Sequence, residues 1–167
     1  MELTRGHGTG YQPTPIEDID YWFDHLPLKG TLTRTFVDVG CGEGVVLERW
    51  RLRSSELDQH PLLVGIESDI DLAAYAAPHA DMLLTGDAAT FDYARLPQPL
   101  LLWLFNPFGL EPMMQLIDRL QGLDVWVIAN NVQHVAAMQE AGFELRSYWW
   151  RGEHENVWFW LSSGGTA

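Results

Sequence analysis

Two spacings of apolar residues alternate along the chain. Compact apolar runs at 35–39, 62–66, 80–85, 100–105 and 125–129 have the length and β-branched or aromatic content of buried strands. Between them the spacing changes to that of helices. Ile16, Ile19, Phe23 and Leu26 form one stripe, with Glu17, Asp18, Asp20 and Asp24 on the polar face. Val46, Leu47 and Trp50 share a second, and Leu110, Met113, Met114, Ile117 and Leu120 make another. Thr14-Pro15 reads as an N-cap followed by proline at the first helical position. Ser68-Asp69 caps a helix that runs from Leu72 to a stop at Pro78. Val132, Val135, Ala136 and Met138 predict a last helix with Gly142 at its C-terminal cap.

Three stretches break this alternation, one at each end and one in the middle of the chain. Residues 1–15 contain Gly6, Gly8, Gly10, Pro13 and Pro15 and cannot be regular structure. Residues 89–99 show no helical face and predict a short connection or a single turn. The runs 143–151 and 156–161, joined by Gly152-Glu153-His154-Glu155, predict a hairpin. Strands alternating with helices define an α/β, doubly wound, mostly parallel sheet, here of seven strands and closed by that antiparallel hairpin. At 167 residues the chain is expected to be one domain, with a core over 35–161 and an N-terminal segment and helix over 1–30.

Charge narrows the partners. Ten basic residues stand against 23 acidic ones, a net charge of −13, whereas nucleic-acid binding depends on neutralising phosphates. The one basic run, Arg49-Trp50-Arg51-Leu52-Arg53, reads as the solvated face of a helix, so nucleic acid is disfavoured. An acidic surface attracts cations instead. No apolar run reaches the roughly 20 residues of a membrane helix, and the first residues lack signal-peptide character, so a cytoplasmic protein without membrane contact is expected. Cys41 is the single cysteine, which excludes an internal disulfide and a cysteine-cluster metal site, and no metal is expected.

The candidate chemistry gathers where strands end. The first strand breaks into Asp38-Val39-Gly40-Cys41-Gly42-Glu43-Gly44 and feeds a helix. Glycine there tolerates positive φ and leaves no Cβ between a ligand and the backbone. The second strand ends in Glu67, an acceptor suited to ribose hydroxyls, followed by Ser68. The third ends in Gly86-Asp87-Ala88, and the fourth runs into Asn106-Pro107-Phe108-Gly109. Ligands of open α/β sheets bind beyond the carboxyl ends of strands, the edge on which all these motifs fall. Each also has a structural reading: Asp38 as a brace for the Gly turn, Asp87 and Asn106-Pro107 as turn residues.

These residues together resemble class I S-adenosylmethionine (SAM)-dependent methyltransferases over roughly 35–161. With Tyr11-x-Pro13-Thr14-Pro15 and Leu104-Phe105-Asn106-Pro107-Phe108-Gly109, the chain is similar to small bacterial methyltransferases distantly related to the non-SET histone-lysine enzymes. The resemblance implies a Rossmann-like fold with SAM as cofactor. Gly40, Cys41, Gly42 and Gly44 would line its methionine part, with Asp38 in contact directly or through water. Glu67 and Ser68 would hold the ribose end, Asp87 and Ala88 the adenine, and Tyr11 and Thr14 would fold over it as a lid. Asn106-Pro107-Phe108 is similar to the Asn-Pro-Pro-Tyr motif in which an asparagine side chain and a proline carbonyl orient an amine, so these three are the expected catalytic residues, and Asn106 is also an expected cofactor contact. Phe108 stands where that motif has its second proline, and no tyrosine follows.

The resulting expectation is an N-methyltransferase acting on a macromolecular amine, a lysine of a basic protein. No insertion after Asn106 is available to surround a small ligand. Two alternatives stay open: a methyltransferase-like binding module without activity, and a small-molecule methyltransferase. Trp149, Trp150, Trp158 and Trp160 crowd the hairpin, and alternation puts Trp158 and Trp160 on one face. That face needs a cover, either a helix or a partner subunit in a homodimer.

Overall fold

The structure is a computed structural model that describes residues 13–26, 34–105, 109–131, 133–151 and 154–161. In the last two strands the side chains of 148–151, 154–156 and 158–161 lie outside that description, so the predicted faces of the four hairpin tryptophans do too. The elements in order are α1 (Ile16–His25), β1 (Thr35–Val39), α2 (Val45–Glu56), β2 (Leu62–Glu67), α3 (Ile70–Ala76), β3 (Met82–Thr85) and β4 (Leu100–Phe105). There follow α4 (Leu110–Leu120), β5 (Val125–Asn130), α5 (Val135–Glu140), β6 (Glu144–Arg151) and β7 (His154–Leu161). Single 3₁₀ turns follow α3 at Ala77–His79 and precede β4 at Tyr93–Arg95.

The strands form one sheet in the order β3-β2-β1-β4-β5-β7-β6. The first five are parallel, while β7 and β6 run antiparallel to their neighbours. Chain order therefore reverses between β1 and β4, and the crevice beyond their carboxyl ends is where such sheets take ligands. β1 and β4 are paired in register from Thr35 with Leu100 to Val39 with Leu104, so the Gly turn begins beside the last residues of β4.

Alternation along the strands divides the core into two layers. Val37, Val39, Leu102, Leu104 and Val127 pack under Met113, Leu116, Ile117 and Leu120 of α4. Phe36, Leu63, Trp103 and Ile128 pack under Trp22 and Phe23 of α1 and Leu47 and Trp50 of α2. Trp50 stacks on Phe36 at 4.3 Å and meets Trp103 edge-on at 6.1 Å.

Several expectations are corrected by this packing. The N-cap of α1 is Pro15 rather than Thr14: its backbone is extended at ψ 137°, and its carbonyl accepts from Asp18 and Ile19. Thr14 is instead buried. Ile16 is exposed while Asp18 and Trp22 are buried, which rotates the inner face of α1 away from the assumed stripe. On α4 the inner stripe is Met113, Leu116, Ile117 and Leu120, with Leu110 and Met114 outside.

The basic run on α2 is not simply solvated. Arg49 makes two bonds to Asp20 at 2.7 and 2.6 Å, Arg53 pairs with Asp20 and Asp24, and Arg51 pairs with Asp81 at 2.9 Å. These arginines tie α2 to α1 and to the β3 edge, so the run is committed to internal ion pairs. No helix among the described residues is long and apolar enough to cross a membrane.

Candidate functional site at the carboxyl edge of the sheet

The turn after β1 carries three glycines at φ 74°, 53° and 84° for Gly40, Gly42 and Gly44, a conformation that side chains with a Cβ resist. At Gly44 space is also short: an added Cβ would lie 2.9 Å from Ala76 Cα, so glycine lets α2 approach α3. The turn is fastened to the end of β2. The Gly40 and Cys41 amides donate to the Ile66 carbonyl at 2.8 and 3.1 Å. Gly42 N–H donates to Glu67 Oε2 at 2.9 Å.

Glu67 thus joins two loops. Its Oε1 accepts from Asp69 N–H at 2.9 Å and from Ser68 Oγ at 3.3 Å, while Oε2 holds Gly42. Each carboxylate oxygen has two lone pairs, so Oε2 keeps capacity for one more donor. Asp69 caps α3, accepting from Asp71 and Leu72. The buried Glu67 is therefore held by backbone donors at the strand end, with an acceptor position left open on Oε2.

Asp38 lies next to this carboxylate in the electrostatic sense. It points to the α1–α2 side of β1, is almost fully buried, and its Oδ2 has no hydrogen-bond partner among the described residues. Burial, with the Glu67 charge adding to it, pushes the Asp38 carboxyl up to about 8. The carboxyl is thus neutral near pH 7 in the free protein, and a cation brought beside Oδ2 would favour its ionised form. Cys41 is buried with its Sγ toward Gly65, and burial together with the Asp38 and Glu67 charges raises its thiol pKa. The thiolate is disfavoured, which makes Cys41 a packing residue rather than a nucleophile.

At the end of β3, Asp87 is exposed and its Oδ1 accepts from Ala89 N–H at 2.9 Å, while Ala88 is buried and its carbonyl accepts from Tyr93 Oη at 3.0 Å. The turn role of Asp87 is present, and it leaves the rest of the carboxylate facing outward on the same edge. Tyr11 and the three expected catalytic residues, Asn106, Pro107 and Phe108, lie outside the described residues. The chain enters and leaves that segment at Phe105 and Gly109, at the carboxyl edge beside the Gly turn.

Asn130 was not singled out by sequence reasoning. The last residue of β5, it is fully buried, accepts from Trp22 Nε1 at 3.2 Å and donates through Nδ2 to the Leu104 carbonyl at 3.3 Å. A polar residue closing an apolar run was the available signal. A cleft of about 370 Å³ between Arg51, Ser54, Gln59, His60 and Asp81 opens at the opposite, amino-terminal edge of β2, away from every motif above.

No family model matches the chain, and neither does any curated protein. Solved structures do. A TehB-like SAM-dependent methyltransferase from Corynebacterium glutamicum superposes with a TM-score of 0.57 at 15% identity, over 86% of this chain and 96% of that one. The methyltransferase domain of bacterial CtHen1-C gives 0.62 at 13%, over 87% and 97%. A ribosomal protein L11 methylase from Lactobacillus delbrueckii subsp. bulgaricus gives 0.58 at 13%, over 84% and 75%. The chain therefore has the fold of the class I SAM-dependent methyltransferases.

Proposed function

We propose that this chain is a SAM-dependent methyltransferase, and that it methylates an amine nitrogen of a macromolecule, a lysine-type side chain of a basic protein. The observation that carries the reading is the joint built by Gly42 and Glu67: a Gly turn with three positive φ values, hydrogen-bonded to a buried acid at the tip of the adjacent strand. The residues suit the cofactor. Glu67 has acceptor capacity for ribose hydroxyls, the glycines leave the turn backbone uncovered, and Asp38 has a carboxyl oxygen without a partner among the described residues, which a bound cation would help to ionise. Asp87 and Ala88 stand on the same edge for the adenine end, and Thr14, one of the two residues assigned to the lid, is buried just before α1. SAM supplies an activated methyl group, already bonded to a positively charged sulfur.

The remaining work falls to the protein. It must present the amine uncharged, although a free lysine titrates near ~10.4. It must also align the reacting atoms at about 3–3.5 Å. Asn106 and the Pro107 carbonyl are assigned to orient the amine, with Phe108 against it. The macromolecular acceptor is favoured by the net charge of −13, which steers basic partners.

The test is calorimetry with SAM and its demethylated product, followed by turnover of methyl-labelled SAM against protein and amine pools. Binding with transfer to protein lysine that weakens as salt rises supports the reading. Binding without transfer to any acceptor would make the chain a binding module. Salt-independent methylation of a free small amine or hydroxyl compound would overturn the protein acceptor.

A further inference from the structure

A polar atom buried without a hydrogen bond loses its hydration and gains no partner, so several of them in one place need a reason. Three such atoms gather where α2 ends. Arg51 Nε, Ser54 Oγ and Gln59 Oε1 have no hydrogen-bond partner among the described residues.

The local fold brings them together. Arg51 and Ser54 are three residues apart on α2 and so share one face. Past the helix, Asp58 takes the left-handed conformation at φ 54°, and the chain doubles back until Gln59 N–H donates to the Ser54 carbonyl at 2.9 Å. All three residues line the cleft of about 370 Å³ at the amino-terminal edge of β2. That volume lies within the roughly 300–1,000 Å³ of small-molecule sites. Pro61, Leu62 and Leu63 add an apolar wall. Ser54 is only 1% exposed, and its hydroxyl hydrogen rotates to suit a partner. Arg51 and Gln59 are partly exposed, so side-chain rotation can turn their open atoms toward a ligand.

Charge in the cleft is already balanced. Asp81 Oδ1 accepts from Arg51 Nη2 at 2.9 Å, and Oδ2 accepts from Leu63 N–H at 2.8 Å. Arg51 Nη2 also donates to the His79 carbonyl at 3.1 Å. What stays open is one donor, one acceptor and a hydroxyl that serves as either. An anion would find the arginine neutralised and Asp81 beside it, and a cation would leave Arg51 Nε unmatched. The complement is neutral, a carbonyl next to an N–H.

We propose that this cleft binds a small neutral molecule by an amide edge. The ligand carbonyl accepts from Arg51 Nε, its N–H donates to Gln59 Oε1, and Ser54 Oγ bonds one of the two. The apolar remainder lies against Pro61, Leu62 and Leu63. This site is separate from the carboxyl-edge crevice, and its occupation is independent of the methyltransferase reading.

The experiment is an NMR titration of the full chain with three probes of one shape: benzamide, benzoate and benzamidinium. It is run near neutral pH in about 0.15 M salt, where long-range charge effects are screened. Benzamide carries both halves of the edge, benzoate lacks the donor, and benzamidinium lacks the acceptor. Benzamide is expected to bind and shift backbone amide signals within 54–63, with each ion at least about threefold weaker. Ser54→Ala and Gln59→Leu should each weaken benzamide by about three- to tenfold, the worth of one hydrogen bond. Ser54→Ala removes a hydroxyl that has no partner, so its Tm without ligand should not fall, which separates lost binding from lost fold. The absence of benzamide binding by the wild type at millimolar concentration would overturn the proposal. So would equal or tighter binding of either ion, or unchanged benzamide affinity in folded Ser54→Ala and Gln59→Leu.

Discussion

Replacing Asp38 by asparagine should change how the stability of the protein depends on pH. The carboxyl stands at 3.8 as a free group and is pushed up to about 8 in the fold. Between those values the folded chain keeps a proton that the unfolded chain releases, so stability falls as pH rises from about 4 to about 8. The steepest slope from one group is ~1.4 kcal/mol per pH unit, which over this window sums to something on the order of 5 kcal/mol. Asparagine has nearly the shape of the protonated acid and does not titrate, so the variant should lose this slope. Urea unfolding at half-unit steps from pH 4.5 to 9 measures it, and the difference between variant and wild type removes the titrations they share. The two should be close in stability near pH 4.5, with the variant increasingly the more stable toward pH 8. A difference that stays flat across the range would refute the reasoning, since Asp38 would then titrate alike folded and unfolded. The same substitution should weaken binding of the cationic cofactor while leaving the chain better folded, an opposition that simple damage to the core would not produce.

Three further substitutions or probes test the site. Glu67→Ala should weaken SAM binding by roughly 2–3 kcal/mol for the charged hydrogen bonds, and should also lower the Tm without ligand, because Gly42 and Asp69 lose their acceptor; unchanged affinity in calorimetry would contradict the ribose assignment. Cys41 should react with a thiol reagent far more slowly in the folded protein than in urea, since burial and two nearby carboxylates disfavour the thiolate; equal rates would show the turn to be open. Gly65→Ala should destabilise by about 1–3 kcal/mol, because the new Cβ would lie 2.9 Å from Cys41 Sγ and 3.0 Å from both Leu47 Cδ1 and Leu83 Cδ1. Adding Cys41→Ala should recover part of that loss in a double-mutant cycle, and strict additivity would argue against the contact.

Where the sequence was sufficient, the determinant was local. The glycines of the turn after β1 are set by a backbone conformation that other residues resist, and this is visible in spacing alone. β1, β2 and β4 are buried on both faces and read as continuous apolar runs with almost no ambiguity in their limits. Glu67 and Asp87 were placed at strand tips because a polar residue ending such a run has few other positions to occupy. Helix faces were less secure. The inner faces of α1 and α4 are rotated from the stripes that spacing predicts, because several apolar residues compete for the inner face and the neighbouring layer decides which win. That is why Ile16 and Leu110 are outside while Asp18 and Trp22 are inside. Contacts across the sheet were invisible for a different reason: no sequence periodicity relates Arg49 to Asp20, or Asn130 to Trp22 and Leu104. The fold and its ligand-bearing edge are thus written in local spacing. The raised pKa of Asp38, the double duty of Glu67 and the burial of Asp18 exist only once strands and helices far apart in the chain exclude water from the same place.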